Sequence, residues 1–416
     1  MPVQLAIPLR NGLLVACLML AVGRSAAGLA AAEPPECQGG GETHVSGRSL
    51  AEWRDIMSRL DLTDRASAQF VPGLVAVMET RTVPWFTRRQ AALTLGRLGT
   101  ISAAAVPRVT SLLDEVSDDP ETAAEYWASK ALALYGPVAA SAAPALVKRV
   151  RAAETSRLVR LSALEALSQI GTAHEAVLTT LGELAREPRG LLPALPPAEL
   201  HELQRLACEG LGAMGPGAAE MAPLLARLLE SDDALLRRAA AEALGRFGPR
   251  AEIAGLALAD RVLLETEPEV RDAALVALAQ LGPGQLPRVL PWLSAEEPQL
   301  RRSALQVLKN WGTAARHAEP DVRALIGDAE PLVRIAAGAT LAAITDDVRP
   351  ELALVLAELQ SPDREVRITA ARLLIEWGAR SSEVANSVRP LVGDARRDVR
   401  VAAQHVLDQI EQRGTP

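Results

Sequence analysis

The stretch EVRDAALVALAQLG, residues 269–282, returns 96 residues later as EVRITAARLLIEWG, residues 365–378. A helix written twice constrains the fold more than composition does, because a stack of copies needs no single large core. Both stretches reduce to one template. It has Arg at a reference position, Ala three residues on, Ala or a substitute six on, Leu seven on, a large apolar residue ten on and Gly eleven on. Ten registers match, with reference positions Arg88, Glu125, Arg160, Gln204, Arg237, Arg271, Arg301, Arg334, Arg367 and Arg400. The intervals are 37, 35, 44, 33, 34, 30, 33, 33 and 33 residues. Leu at +7 never fails; Gly closes eight copies, with Thr345 and Glu411 in its place in the other two.

Offsets −1, +3, +6, +7 and +10 fall on one side of a 3.6-residue helix, so each copy buries one stripe. Ala at +3 lets neighbouring backbones approach, and Gly at +11 suits the left-handed end of a helix. Between that Gly and the next reference position there is room for a second amphipathic helix, such as EMAPLLARLLES at 220–231. Glu-Pro at 267–268, 297–298 and 330–331 then restarts the template helix, since Pro loses nothing at the first helical position. Composition agrees: 49% of residues are hydrophobic, yet there are only three Phe, two Tyr and six Trp. Ala, Leu and Val suit many small helix contacts, and period-2 strand patterns are scarce.

Two helices per roughly 33 residues, with D-x-x-x-V-R-x-x-A-x-x-A-L-x-x-L-G, resemble the HEAT repeat, especially its short phycobilisome-lyase-like form. SPDREVRITAARLLIEWG (361–378) and GDAEPLVRIAAGATLAAI (327–344) carry the likeness best. The resemblance covers residues 64–411 and implies an all-α fold, an α-solenoid of about ten two-helix repeats. Its first helices lie outside and its second helices line a concave face.

The rest of the chain divides around that array. Residues 1–32 resemble an export signal: Arg10, the apolar run at 12–23, then Ala30–Ala32 before Glu33. The expected localisation is therefore periplasmic or extracellular. Residues 33–47 read as a flexible linker and 48–63 as a capping helix, opened by the capping box of Ser49 and Glu52. Residues 412–416 read as a tail. No segment after the signal reads as apolar enough to span a membrane. Cys37 and Cys208 are too distant to frame a disulfide core.

Composition and motifs narrow the function. A formal net charge of −7 argues against a nucleic-acid partner. GLGAMG at 210–215 matches G-x-G-x-x-G, but it falls inside a repeat helix and lacks the strand a dinucleotide site needs. His174–Glu175 and His201–Glu202 are two His-Glu pairs; a HEAT-built di-iron hydroxylase uses four, so no metal or other cofactor is expected. No catalytic triad, G-x-S-x-G or H-E-x-x-H arrangement is present.

Two columns of the repeat remain. The Arg ladder (Arg88, Arg160, Arg237, Arg271, Arg301, Arg334, Arg367, Arg400) reads as structural. Each guanidinium is expected to reach acids and open carbonyls at the junctions, for example Asp328 near Arg334 and Asp394 near Arg400. Offset +1 points away from the buried stripe and is expected to be the most exposed. It turns aliphatic in the last three copies, as Ile335, Ile368 and Val401, with Ala339, Ala342 and Ile375 on the same side. This strip is the candidate surface for a protein or peptide partner, unless the solenoid curls tightly enough to bury it. The insertion REPRGLLPALPPAEL, 186–200, with four Pro, is expected to be non-helical: a binding loop or a packed elbow. The leading expectation is an exported, non-enzymatic scaffold. The alternatives are a HEAT-like enzyme of the bilin-lyase type and an architectural spacer in the cell envelope. The sequence leaves the oligomeric state open.

Overall fold

The computed structural model describes residues 43–115, 123–171, 174–378 and 382–414. The segment expected to be an export signal, 1–32, and most of the expected linker, 33–47, lie outside the described residues. The chain is a run of antiparallel helix pairs, and the second helix of each pair is a template copy. After a capping helix α1 (Leu50–Arg59) these are α2 (Trp85–Leu98), α3 (Ala124–Tyr135), α4 (Arg157–Ile170), α5 (Pro197–Ala213) and α6 (Ala234–Phe247). There follow α7 (Pro268–Leu281), α8 (Pro298–Trp311), α9 (Pro331–Thr345), α10 (Arg364–Gly378) and α11 (Arg397–Gly414). Each packs on its predecessor and successor, so the array is an α-solenoid.

The buried stripe explains the stacking. All ten Leu at +7, from Leu95 to Leu407, are buried. Leu→Ala in such a site costs about 2–5 kcal/mol. Pro268, Pro298 and Pro331 stand at the first position of α7, α8 and α9, each after a Glu N-cap. Second helices approach closely where Gly at +8 meets Ala at +6 of the next copy: Gly96 against Ala131, Gly212 against Ala243 and Gly245 against Ala277.

Gly171 takes the left-handed conformation expected at +11 (φ 62°, ψ 20°). Gly99 has φ 54° and ψ −120°, which a Cβ would strain, and the chain leaves it as a 3-10 turn, Gly99–Ala105. Copy eight lacks the glycine; there Asp346, one residue beyond Thr345, supplies the left-handed turn at φ 57°, a conformation Asp tolerates. Most first helices are short because part of the connection before them is such a 3-10 turn; where it is missing, after α4 and α9, the first helices Glu175–Arg186 and Arg349–Leu359 are longer.

Four boundaries differ from expectation. The end of the linker is not loose: His44–Val45 (β1) pairs with Arg48–Ser49 (β2) around Ser46 and Gly47, both at positive φ. Such a Ser-Gly pair suits a two-residue hairpin. Val45 is buried there, and its carbonyl accepts a 2.9 Å hydrogen bond from Trp53 Nε1. The capping box of Ser49 and Glu52 is present in α1. The insertion is partly helical: Pro188 opens a single turn, Pro188–Leu191, and Pro197 opens α5, because Pro starts helices as readily as it stops them. The 412–416 tail continues α11 as far as Gly414. Finally, Ala124–Arg151 has the length and composition of a membrane span. Gly136, at φ 57°, breaks it into α3 and the helix Ala143–Arg151, which lie in successive pairs of the stack.

The Arg ladder ties the junctions backwards and, at five of its eight positions, forwards as well. Backwards, the guanidinium donates to carbonyls that end the preceding turn. Arg301 reaches Ala295 O and Glu296 O, Arg334 reaches Asp328 O, Arg367 reaches Ser361 O, and Arg400 reaches Asp394 O. Arg271 donates to Glu265 O, and the buried Arg160 donates to Val150 O and Ala152 O. Forwards, it meets a carboxylate of the next junction: Arg88–Glu115, Arg237–Glu265, Arg301–Asp328, Arg334–Glu358 and Arg367–Asp398. Thus Asp328 gives its carboxylate to Arg301, two bonds at 2.8 Å, and only its carbonyl to Arg334. Copy two inverts the charges. Buried Glu125 stands at the reference position and Arg149, 24 residues on, supplies the cation at 3.4 Å. Arg334 and Glu358 are separated by the same 24 residues.

Candidate functional site

Two hollows lie over the last five template helices, and second helices alone line them; the Lys309–Glu376 pair, which spans two copies on this side, marks it as the inner side of the curve. One hollow of about 380 Å³ runs from Asp272 on α7, over α8 and α9, to Glu376 on α10. The other, about 790 Å³, is the groove between α10 and α11. Arg372 lines both, so they form one trough.

Along this trough the candidate strip divides. Ile368 and Val401 are exposed, 38% and 62%, and lie in the groove with Ile375. Ile335, at 2%, is buried, against the expectation for +1, and so are Ala339, Ala342 and Ile375. The cause is curvature. Lys309 on α8 pairs with Glu376 on α10 at 3.2 Å, across the intervening helix α9. The face of α9 beneath that bridge is Ile335, Ala336 and Ala339, small enough for its neighbours to close over it. Ile335 and Ala339 join a second apolar cluster with Val366, Leu374 and Trp377.

The groove also contains charge that offset +1 does not reveal. Arg364, Arg372 and Arg397 stand around a floor of Ile368, Ile375 and Val401. Arg367 and Asp398 are already engaged, with each other at 3.2 Å and, for Asp398, with Arg396 at 2.7 Å. The Arg396 hydrogen bond, opposed by partial burial and helped by Arg367, holds the Asp398 carboxyl below the usual carboxylate range. Arg364, Arg372 and Arg397 have no ion-pair partner among the described residues.

Offset +5 explains the contrast with the middle of the array. There it is acidic, as Glu165, Glu209 and Glu242, and each acid is answered by Lys130, Arg205 or Arg238. In α10 and α11 the same position is Arg372 and His405. The inner surface therefore changes from paired charges to an apolar floor with unpaired cations. The +5 column carried this signal in the sequence. Of the other motifs, GLGAMG lies within α5 and its 3-10 continuation, with no strand before it. Among the described residues no three His, Cys, Asp or Glu side chains converge as a metal site would require.

Residues 188–279 match the family described as HEAT repeats. The stack of helix pairs is an α-solenoid, and over these residues its pairs are HEAT repeats. No curated protein matches the chain. Among solved structures it is similar to Kap121p, at 15% identity and a TM-score of 0.48, covering 87% of this chain and 43% of that one. It is also similar to Kap95p in its RanGDP complex (16%, 0.49, covering 88% and 61%) and to importin β (16%, 0.49, covering 87% and 54%). The chain spans about half the length of these proteins.

Proposed function

We propose that this solenoid is an exported, non-enzymatic scaffold that binds a protein or peptide partner along the concave trough of α7 to α11. The observation that carries the reading is the open groove in which exposed Ile368 and Val401 face one another's helices. Apolar side chains in a concave surface gain most when a partner displaces water from them. A deep enclosed pocket with convergent acids would have favoured the bilin-lyase alternative, and a featureless inner face the spacer. An open trough favours the binder. Export rests on the Arg10 and 12–23 pattern, and cell fractionation with N-terminal sequencing of the recovered protein tests it.

Affinity capture with three baits tests the binding surface. Wild type and Leu256→Asp, altered at an exposed outer-face leucine, should retain the same partner, and Ile368→Asp/Val401→Asp should lose it. Retention by the double variant, or loss with Leu256→Asp alone, contradicts the concave reading.

A further inference from the structure

We propose that the groove between α10 and α11 receives an acidic, aliphatic peptide segment of a partner protein. The proposal deepens the concave-face reading and rests on it. Its floor of Ile368, Ile375 and Val401 calls for aliphatic side chains, and its rim of Arg364, Arg372 and Arg397 calls for carboxylates. Guanidinium forks meet carboxylates through paired, charge-assisted hydrogen bonds.

The rim runs against both the rest of the molecule and local stability. The chain carries a net charge of −7, yet these three cations are left without an ion-pair partner among the described residues. Arg364 and Arg397 are, moreover, the first residues of α10 and α11. The helix dipole is positive at that end, so a cation there is unfavourable. Arg157, which opens α4, is compensated by Glu202 at 2.6 Å. A bound carboxylate would compensate Arg364 and Arg397 in the same way, and the cost in the free protein becomes a gain on binding. A peptide suits the site better than an anionic bilayer, because the cations stand around a hollow of about 790 Å³ that a planar headgroup surface does not enter.

Fluorescence anisotropy of the whole mature protein tests this with two synthetic amphipathic peptides. One has Leu on its apolar face and Glu elsewhere; the other has Lys in place of Glu. The Glu peptide should bind, more weakly as salt rises, and the Lys peptide should not. Arg364→Glu/Arg372→Glu/Arg397→Glu should raise the Kd for the Glu peptide by at least about tenfold. The corresponding Gln triple variant, which adds no new charge, should shift it in the same direction by less. Equal binding of both peptides overturns the proposal, as does indifference of the Glu peptide to both triple variants. Binding to phosphatidylserine vesicles that both triple variants abolish, with no binding of the Glu peptide, also overturns it in favour of a membrane. If the Glu peptide fails while Ile368→Asp/Val401→Asp still loses its captured partner, this inference falls and the concave-face reading stands.

Discussion

Lys309 and Glu376 belong to copies seven and nine, and their side chains meet at 3.2 Å over copy eight. Side chains two copies apart touch only where the inner surface bends tightly, and the Ala-rich face of α9 permits that bend.

That bend sets the first prediction. Ile335→Asp places an unpaired charge in the second apolar cluster, and it should destabilise the C-terminal copies by about 4 kcal/mol or more. Ile368→Asp, one copy later at the same offset, should change stability by only about 0.5 kcal/mol. Urea denaturation followed by circular dichroism separates the two; equal midpoints would refute the curvature account.

The inverted junction gives a second. Glu125 and Arg149 are both buried, and burial raises the Glu125 pKa against the pull of Arg149. Glu125→Arg or Arg149→Glu alone should cost about 3–5 kcal/mol. The double exchange restores the polarity of the Arg334–Glu358 pair and should recover most of that loss in thermal melts.

Glu265 makes acid sensitivity specific. The Arg237 hydrogen bond, together with the Glu267 N–H and Arg261, overcomes burial and lowers its pKa from 4.5 to about 2. A depressed carboxylate pKa stabilises the fold above the unfolded value and loses that contribution as pH falls through the folded one. Between about pH 4.5 and 2 this group should therefore withdraw about 3 kcal/mol. Glu265→Gln should be less stable at neutral pH and show a shallower decline over that window.

Helix spacing supplies a fourth. A Cβ on Gly96 would stand 2.5 Å from the Ala131 carbonyl oxygen, a backbone atom that cannot step aside. Gly96→Ala should cost about 1–3 kcal/mol despite its better helix propensity. A stabilised variant in the same denaturation assay would show that α2 and α3 are not in close contact.

The repeat, the ten template helices and the buried +7 leucines were legible because an amphipathic period survives in one sequence. The close helix approach at glycine was less so: Gly96, Gly212 and Gly245 stand at +8 in only three copies, too few to stand out as a column. The exposure of +1 failed at Ile335 because curvature is a property of several helices together, set by the small residues of α9 and by Lys309 and Glu376. Arg364, Arg372 and Arg397 were readable in the −3 and +5 columns, but their significance depends on pairing, and pairing is a three-dimensional fact. Asp328 shows this: only six residues before Arg334, it bonds its carboxylate to Arg301.

Hydrogen–deuterium exchange of the protein, alone and with its captured partner, tests the central claim most directly. Protection confined to the inner helices, strongest over 364–378 and 397–408, is the expected result. Protection of the outer helix Gly255–Leu264 with α10 and α11 unchanged would contradict it.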